Sequence, residues 1–389
     1  MDLRLSNDEE LLRRGARELL ARRAPLDKTA AAEGDPLADD AALWAEMAAL
    51  GWLGLTIPED RGGSAGTLLH LELLTEEFGR ALGPGPFVPV MVAAGMLEAA
   101  AGEVSQRLLR ELVEGAARPV PALTGRSGRI AGHPGVTIAD GGATGEKGFV
   151  DAAATADWLL TTAFPGGGDD LRVIVVDAHD PAVEIVPRPT IAGLSTALVR
   201  FDAAAVVADL GGPELVDVAV TRAAVLQAGW CAGAAARLVE DTVAYISERM
   251  QFGVPIGSFQ SVQHRMADCS IAVAEAATLA RQAAAALDGG EASGRRLGST
   301  AFVRSTDAFV AVARHCHQVW GGIGYGTEAH VQLFSRRAKA AQQAWGGTDH
   351  HLDVVAAELA GVPLTRDRYP HLGPGRSNSE IPLLTRERR

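Results

Sequence analysis

Residues 214–250 contain no proline, and their only glycines are Gly229 and Gly233. Proline removes a backbone donor and clashes with the preceding turn, so a run free of it predicts one unusually long helix or two abutting ones. A helix of that length is held mainly by packing of its apolar face, so it calls for partners. Three further helical patterns follow at 259–288, 295–320 and 327–345 with short connections. Together the four predict an antiparallel helical bundle over residues 212–362.

The chain ahead of the bundle divides in two. Residues 1–117 read as a helical domain. Ser6 and Glu9 have capping-box spacing before Leu11, Leu12, Ala16, Leu19 and Leu20. More helical patterns cover 39–50, 67–82, 90–101 and 104–115, with a turn-rich loop at 54–66 and a Gly-Pro cluster at 83–86. Residues 118–211 change character. Short runs such as "LRVIVVD" and "ALVRFDAAAVVA", separated by turns, predict a small antiparallel β-barrel or sandwich rather than βαβ units. The predicted class is α+β multidomain: helical domain, β-barrel, helical bundle. Residues 363–389 read as an irregular or partly disordered arm.

The formal net charge of -12, with a pI near 5.3, argues against nucleic acid or an anionic membrane as partner, because an acidic surface repels phosphates. Cys231, Cys269 and Cys316 are scattered and form no C-x-x-C pair, which fits a reduced setting. The start of the chain is acidic and polar, unlike a signal peptide. No uninterrupted apolar run reaches the roughly 18 residues of a membrane span. A soluble, cytoplasmic protein is expected.

Two short motifs bear on chemistry. In "RMQFGVPIGSFQ", Arg249 and Phe252 are three apart, which predicts a shared helix face. A guanidinium beside a ring suits a diphosphate next to a planar heterocycle. The same pair also reads as a helix C-terminus with Arg at the negative dipole end and Phe in the core. In "QVWGGIGYG", no strand leads into the glycines and the register is wrong for a dinucleotide-binding G-x-G-x-x-G. Gly321 and Gly322 more simply end a helix and admit another backbone or a ligand. Gln318, one turn earlier, is placed to bond a base edge or ribose. "HCH" at 315–317 lacks a second cluster at zinc spacing, so no metal site is expected. "GRSGR" is no hydrolase elbow, and no Walker A loop occurs.

Taken together and in order, these motifs and "LWAEMAALGWLGLTIPEDRGGSAGTLLHLELLTEEFGRAL" resemble the acyl-CoA dehydrogenase family of flavoproteins over residues 5–362. The resemblance implies a four-helix C-terminal bundle, FAD between barrel and bundle, and assembly as dimers or tetramers. It implies that Arg249 and Phe252 reach the FAD of a neighbouring subunit. Gln318, Gly321 and Gly322 would pack on its adenosine half. Thr124 would bond the flavin ring from a barrel loop, and Phe149 would cover the isoalloxazine. The implied reaction is α,β-desaturation of an acyl thioester, in fatty acid or steroid metabolism. A carboxylate takes the α-proton while a hydride passes to the flavin. Acyl-CoA is the default substrate, with an acyl carrier protein thioester as the alternative.

Three departures stand out. Counting from Arg336 without a gap puts Trp345 at the family's glutamate, and matching Gly-Thr puts Gly346 there. At the second place used in the family, Thr221 precedes Arg222. None of these residues accepts a proton. The barrel loop "LTGRSGRIAGHPG" keeps Thr124, with Ser127 as a substitute hydroxyl, and Asp151 stands where a neutral residue usually approaches the flavin. Two expectations follow. In one, the chain is an active homo-oligomer whose base has moved, with Asp349 the nearest acid and His350 and His351 as other acceptors, although these also read as a solvated acid and capping histidines. In the other, which the departures favour, the chain is the non-catalytic half of a hetero-oligomer with another chain of the same family. A non-enzymatic helical adaptor is the alternative from a different class.

Overall fold

The computed structural model describes residues 4–361 apart from 36–39, 84, 131–134, 167–169 and 327–328. The expected arm at 363–389 lies outside the described residues.

Six helices come first: α1 (Asn7–Arg23), α2 (Leu26–Ala31), α3 (Ala41–Ala49), α4 (Leu68–Arg80), α5 (Phe87–Ala99) and α6 (Glu103–Val113). Ser6 and Glu9 close the expected capping box on α1, and the Asp40 carboxylate starts α3 by accepting from Ala42 and Leu43 N–H. Thr67 caps α4 with help from a distant residue. Asp288 accepts from Leu68 N and Leu69 N at 2.8 and 3.0 Å. A carboxylate there also meets the positive end of the helix dipole.

Seven strands follow: β1 (Pro119–Ala122), β2 (Val136–Ala139), β3 (Gly142–Asp151), β4 (Trp158–Pro165), β5 (Arg172–Asp177), β6 (Val183–Pro187) and β7 (Thr196–Gly211). Pairings β4–β2, β2–β3, β3–β7, β7–β5 and β5–β4 close a ring, so the β region is a barrel, with β1 and β6 added on β4 and β7. The purely antiparallel expectation is corrected. Both β1 and β2 run parallel to β4. The chain reverses into β3 and again into β4, which restores the direction of β2. Alternating apolar residues read alike in either pairing, so the pattern could not reveal this.

Lys147 projects from β3 into the barrel. It is wholly buried and its Nζ donates to Thr162 Oγ1 at 2.6 Å. Desolvation pulls this amine down to about 7. In the unfolded chain it titrates near pH ~10.4. Between those two values the unfolded chain holds a proton that the folded barrel lacks, so stability rises with pH across that window. Lys147→Met is expected to remove this slope and to gain most over the parent near pH 6, where the parent buries a charge. Urea midpoints at pH 6 and pH 9 measure it; a parent chain with no slope would rule out a buried amine.

The bundle comprises α7 (Glu214–Glu248), α8 (Gln260–Asp288), α9 (Gly294–Trp320), α10 (Val331–Ala341) and α11 (Gly347–Leu359). The proline-free run is indeed a single helix of 35 residues. By length and apolarity alone α7 could cross a bilayer, but 61% of its most apolar window is buried inside the protein, where it forms the spine of the bundle. Its crossing with α4 is close enough to require glycine. A Cβ on Gly233 would lie 1.8 Å from Glu76 O, and one on Gly79 would lie 1.9 Å from Trp230 O. The fourth helix expected at 327–345 is shorter than predicted, and a fifth follows it. Trp345, Gly346 and Gly347 all have positive φ, at 53°, 97° and 78°, which no right-handed helix accepts.

Candidate functional site

The end of α7 carries the first group of expected residues. Arg249 leaves the helix with extended backbone, and β8 (Met250–Gln251) and β9 (Val254–Pro255) form a hairpin turning at Phe252–Gly253. The expectation that Arg249 and Phe252 share a helix face is therefore corrected. The spacing rule holds only inside a helix, and the Phe252–Gly253 turn, with φ of 53° and 81°, reverses the chain. Phe252 stands at the hairpin tip with 94% of its surface exposed, its ring edge-on to Phe259. A non-glycine residue in left-handed backbone costs roughly 1–2 kcal/mol. The exposed ring recovers little of that among the described residues. Arg249 is exposed, and its guanidinium makes no hydrogen bond or ion pair among the described residues.

Trp320, at the end of α9, stacks on Tyr245 at 4.1 Å and donates from Nε1 to Thr242 Oγ1 at 3.0 Å. These contacts lock the end of α9 onto the end of α7, one turn before Arg249. Gln318, Gly321 and Gly322 thus sit at the same end of the bundle as Arg249 and Phe252. Gln318 is exposed, and a Cβ built on Gly321 or Gly322 would meet nothing within 4 Å. Internal packing does not explain these glycines, in contrast to Gly79 and Gly233. A free guanidinium, a presented ring and bare backbone make a corner suited to an anionic, planar ligand.

A second group lies on the barrel. The Thr124 hydroxyl donates to Gly148 O, and Gly148 N donates to Thr124 O at 3.1 Å. The hydroxyl oxygen keeps lone pairs for an outside donor. Phe149, also at positive φ and 55% exposed, lies beside Gly128 of the adjoining turn, which holds the exposed Ser127. Asp151 accepts from Thr196 Oγ1 at 2.8 Å, while burial raises its carboxyl above the usual range. Among the described residues no hydrogen bond or ring contact joins this group to the bundle corner.

The residues that sequence reading sets against the family's glutamate pack into the bundle. Trp345 is half-buried against Ala224, Phe302 and Val303. A Cβ on Gly346 would press on the His350 ring at 3.1 Å. Asp349 is exposed in the first turn of α11. His351 is no helix cap but a core residue. It is fully buried, stacks on Phe302 at 4.1 Å and shares a 3.1 Å hydrogen bond with Ser299 Oγ. Burial pushes it down to about 3, so it is neutral, and burial also lowers His350.

A sizeable opening lies elsewhere. A cleft of about 590 Å³ separates α5 from α7, with Leu68 of α4 and Leu287 of α8 on its walls. Thr221 and Arg222 line it, whereas Trp345 and Asp349 do not. Facing them is Glu98 of α5, which sequence reasoning missed. Its one legible signal is an acid in the otherwise apolar helix "FVPVMVAAGMLEA". Burial raises the Glu98 carboxyl, and Arg222 and Arg61 lower it. Arg222 Nη2 donates to Thr56 Oγ1 at 2.6 Å.

A family profile described as "Acyl-CoA dehydrogenase, N-terminal domain" matches residues 6–116, and "Acyl-CoA dehydrogenase, C-terminal domain" matches 211–360. The chain is 32% identical to acyl-CoA dehydrogenase FadE34 of Mycobacterium tuberculosis over 82% of its own length, but spans only 42% of that protein. It is 30% identical to acyl-CoA dehydrogenase IpdE2 of Mycolicibacterium smegmatis over 91% of its length and all of that protein. Among solved structures, the ChsE4-ChsE5 complex from Mycobacterium tuberculosis holds a similar chain, with TM-score 0.84, 26% identity, and coverage of 93% of this chain and 100% of that one.

Proposed function

The chain belongs to the acyl-CoA dehydrogenase family, and from that premise we propose that it is the non-catalytic half of a hetero-oligomeric flavoprotein dehydrogenase acting on an acyl-CoA. One contrast carries the reading. The bundle corner keeps Arg249, Phe252, Gln318, Gly321 and Gly322, with Arg249 unpartnered among the described residues, while both places that would hold the family's base contain Trp345 or Gly346 and Thr221. A chain that serves a neighbour's cofactor needs the first and not the second.

Family members bind FAD, which supplies a ring able to accept a hydride. The residues present fit it. Arg249 has no partner among the described residues, and Gly321 and Gly322 leave space beside the backbone. In this reading Arg249 holds the diphosphate across a subunit boundary and Phe252 covers it from the hairpin tip. Gln318, Gly321 and Gly322 take the adenosine half. Thr124 accepts a hydrogen bond from the flavin ring, and Phe149 shields its face. The proton acceptor is then a carboxylate of the partner chain. Two comparisons support the pairing. ChsE4-ChsE5 is a complex of two differently named chains, and a chain like this one accounts for less than half of FadE34.

A second reading, an active homo-oligomer with a moved base, now has Glu98 rather than the exposed Asp349 in its favour, because Glu98 shares a cleft with Thr221. Expressing the chain alone and together with a homologous chain separates the readings. Flavin recovered only in the mixed complex, at less than one per chain, is the expected result. A lone homo-oligomer that reduces an artificial electron acceptor with acyl-CoA overturns it. A mixed complex devoid of flavin leaves an adaptor instead.

A further inference from the structure

We propose that the crossing of α4 and α7 is operated by a proton on Glu72: the two helices lie against each other while the carboxyl is neutral and part when it ionises.

Glu72 is wholly buried, and neither of its carboxyl oxygens has a hydrogen-bond partner among the described residues. It faces α7 at Gly229, where a Cβ would lie 2.8 Å from Oε1. That spacing leaves no room for a water between the carboxyl and the helix. The contact belongs to the same seam as Gly79 against Trp230 and Gly233 against Glu76. In mid-helix α7 offers no donor, because its backbone N–H groups are spent on its own helical bonds.

The neighbouring guanidinium groups are held by other acids. Arg281 of α8 binds Glu76 at 2.7 Å, and Arg13 of α1 reaches Glu76 at 3.4 Å and Glu77 at 3.6 Å. Arg17 closes on Glu77 with two hydrogen bonds, at 2.8 and 2.7 Å. Glu76 stands four residues after Glu72, which puts a like charge on the same helix face. Burial and then Glu76 raise the Glu72 carboxyl well above the usual range, against the pull of Arg281 and Arg13, and no charged group of α7 acts on it. Glu72 is thus the uncharged member of the cluster at neutral pH. Once ionised, it cannot stay dry and unpaired. It must admit water, which fits only if α4 and α7 separate, or draw Arg281 away from Glu76, which loosens α8. Either way the seam between the N-terminal helices and the bundle opens. No residue of the flavin corner takes part, so the cofactor reading stands or falls separately.

The unfolded chain releases the Glu72 proton near pH ~4.3, whereas the fold keeps it. This residue therefore costs stability progressively as pH rises from there, until the folded carboxyl also ionises. The test compares urea unfolding of the chain, in the complex it forms, with that of Glu72→Gln at pH 5 and pH 7, where Lys147 adds little slope. A one-proton difference held over two pH units changes the unfolding constant by about 100-fold, and Glu72→Gln should gain that much on the parent. Other titrating groups are common to both chains and cancel. At pH 9 the amides of residues 225–233 should exchange hydrogen faster in the parent than in Glu72→Gln, and at pH 6 the two should match. Infrared spectra at pH 7 should show the carbonyl stretch of an undissociated acid that Glu72→Gln lacks. Glu72→Met, which carries no polar group, repeats the comparison should the amide disturb the seam. A parent–variant difference that does not change with pH, exchange that matches at pH 9, no undissociated acid at pH 7, or failure of both neutral variants to fold overturns the proposal.

Discussion

Replacing Arg249 by glutamate is expected to yield a colourless mixed complex where the parent is yellow. The guanidinium is exposed and has no partner among the described residues, so its removal takes nothing from their packing. Surface changes of that kind stay within about 0.5 kcal/mol. If the side chain grips a diphosphate, the loss is that of a charge-assisted pair, about 1.5–3 kcal/mol, with repulsion from the new carboxylate added. Flavin affinity should then drop by a factor of at least about 10, and by about 100 or more at the upper end of that range. Arg249→Lys keeps the charge but not the two-pronged geometry, and should fall between the two. Absorbance of flavin per complex, read beside a thermal melt, separates lost binding from lost folding. A yellow Arg249→Glu complex with parental flavin content would remove the central support for the cross-subunit reading.

The second large effect concerns stability. Gly233→Ala places a methyl 1.8 Å from Glu76 O, a backbone atom that cannot swing aside. On an open helix the same change would stabilise by about 1 kcal/mol. Here α4 and α7 must separate along a core that both share, and overpacking of that kind costs about 3 kcal/mol or more. Urea unfolding should show a net loss of that order, or the variant should fail to accumulate as folded protein. Gly322→Ala is the contrasting case. Its added methyl meets nothing within 4 Å, so stability should hold while flavin content in the complex falls. If both variants behaved alike, the distinction between packing glycines and ligand-facing glycines would be lost.

The motifs were legible because they are local. Residue type and spacing along a few turns are enough to read a proline-free helix, an alternating strand or a glycine pair. What the spacing could not convey was direction. Arg249 and Phe252 looked like one helix face because nothing in their separation shows that the helix stops at Glu248. Asp349 looked like the nearest acid because nearness along the chain is all that a sequence offers. In space it is the exposed acid of α11, and Glu98, far away in the chain, is the one that shares a cleft with Thr221.

By itself, then, the amino-acid order determined the helix–barrel–helix arrangement and the long spine α7. It also determined which residue types stand near the ends of α7 and α9. Each of these follows from backbone preference or side-chain chemistry acting within a few residues. Only the tertiary structure decided three other things. It ran β1 and β2 parallel to β4, it broke the last helix at Trp345–Gly347, and it set Glu98 opposite Arg222 across a cleft. Those features depend on which surfaces meet once the apolar faces are buried, and that choice is made by packing between segments distant in the chain.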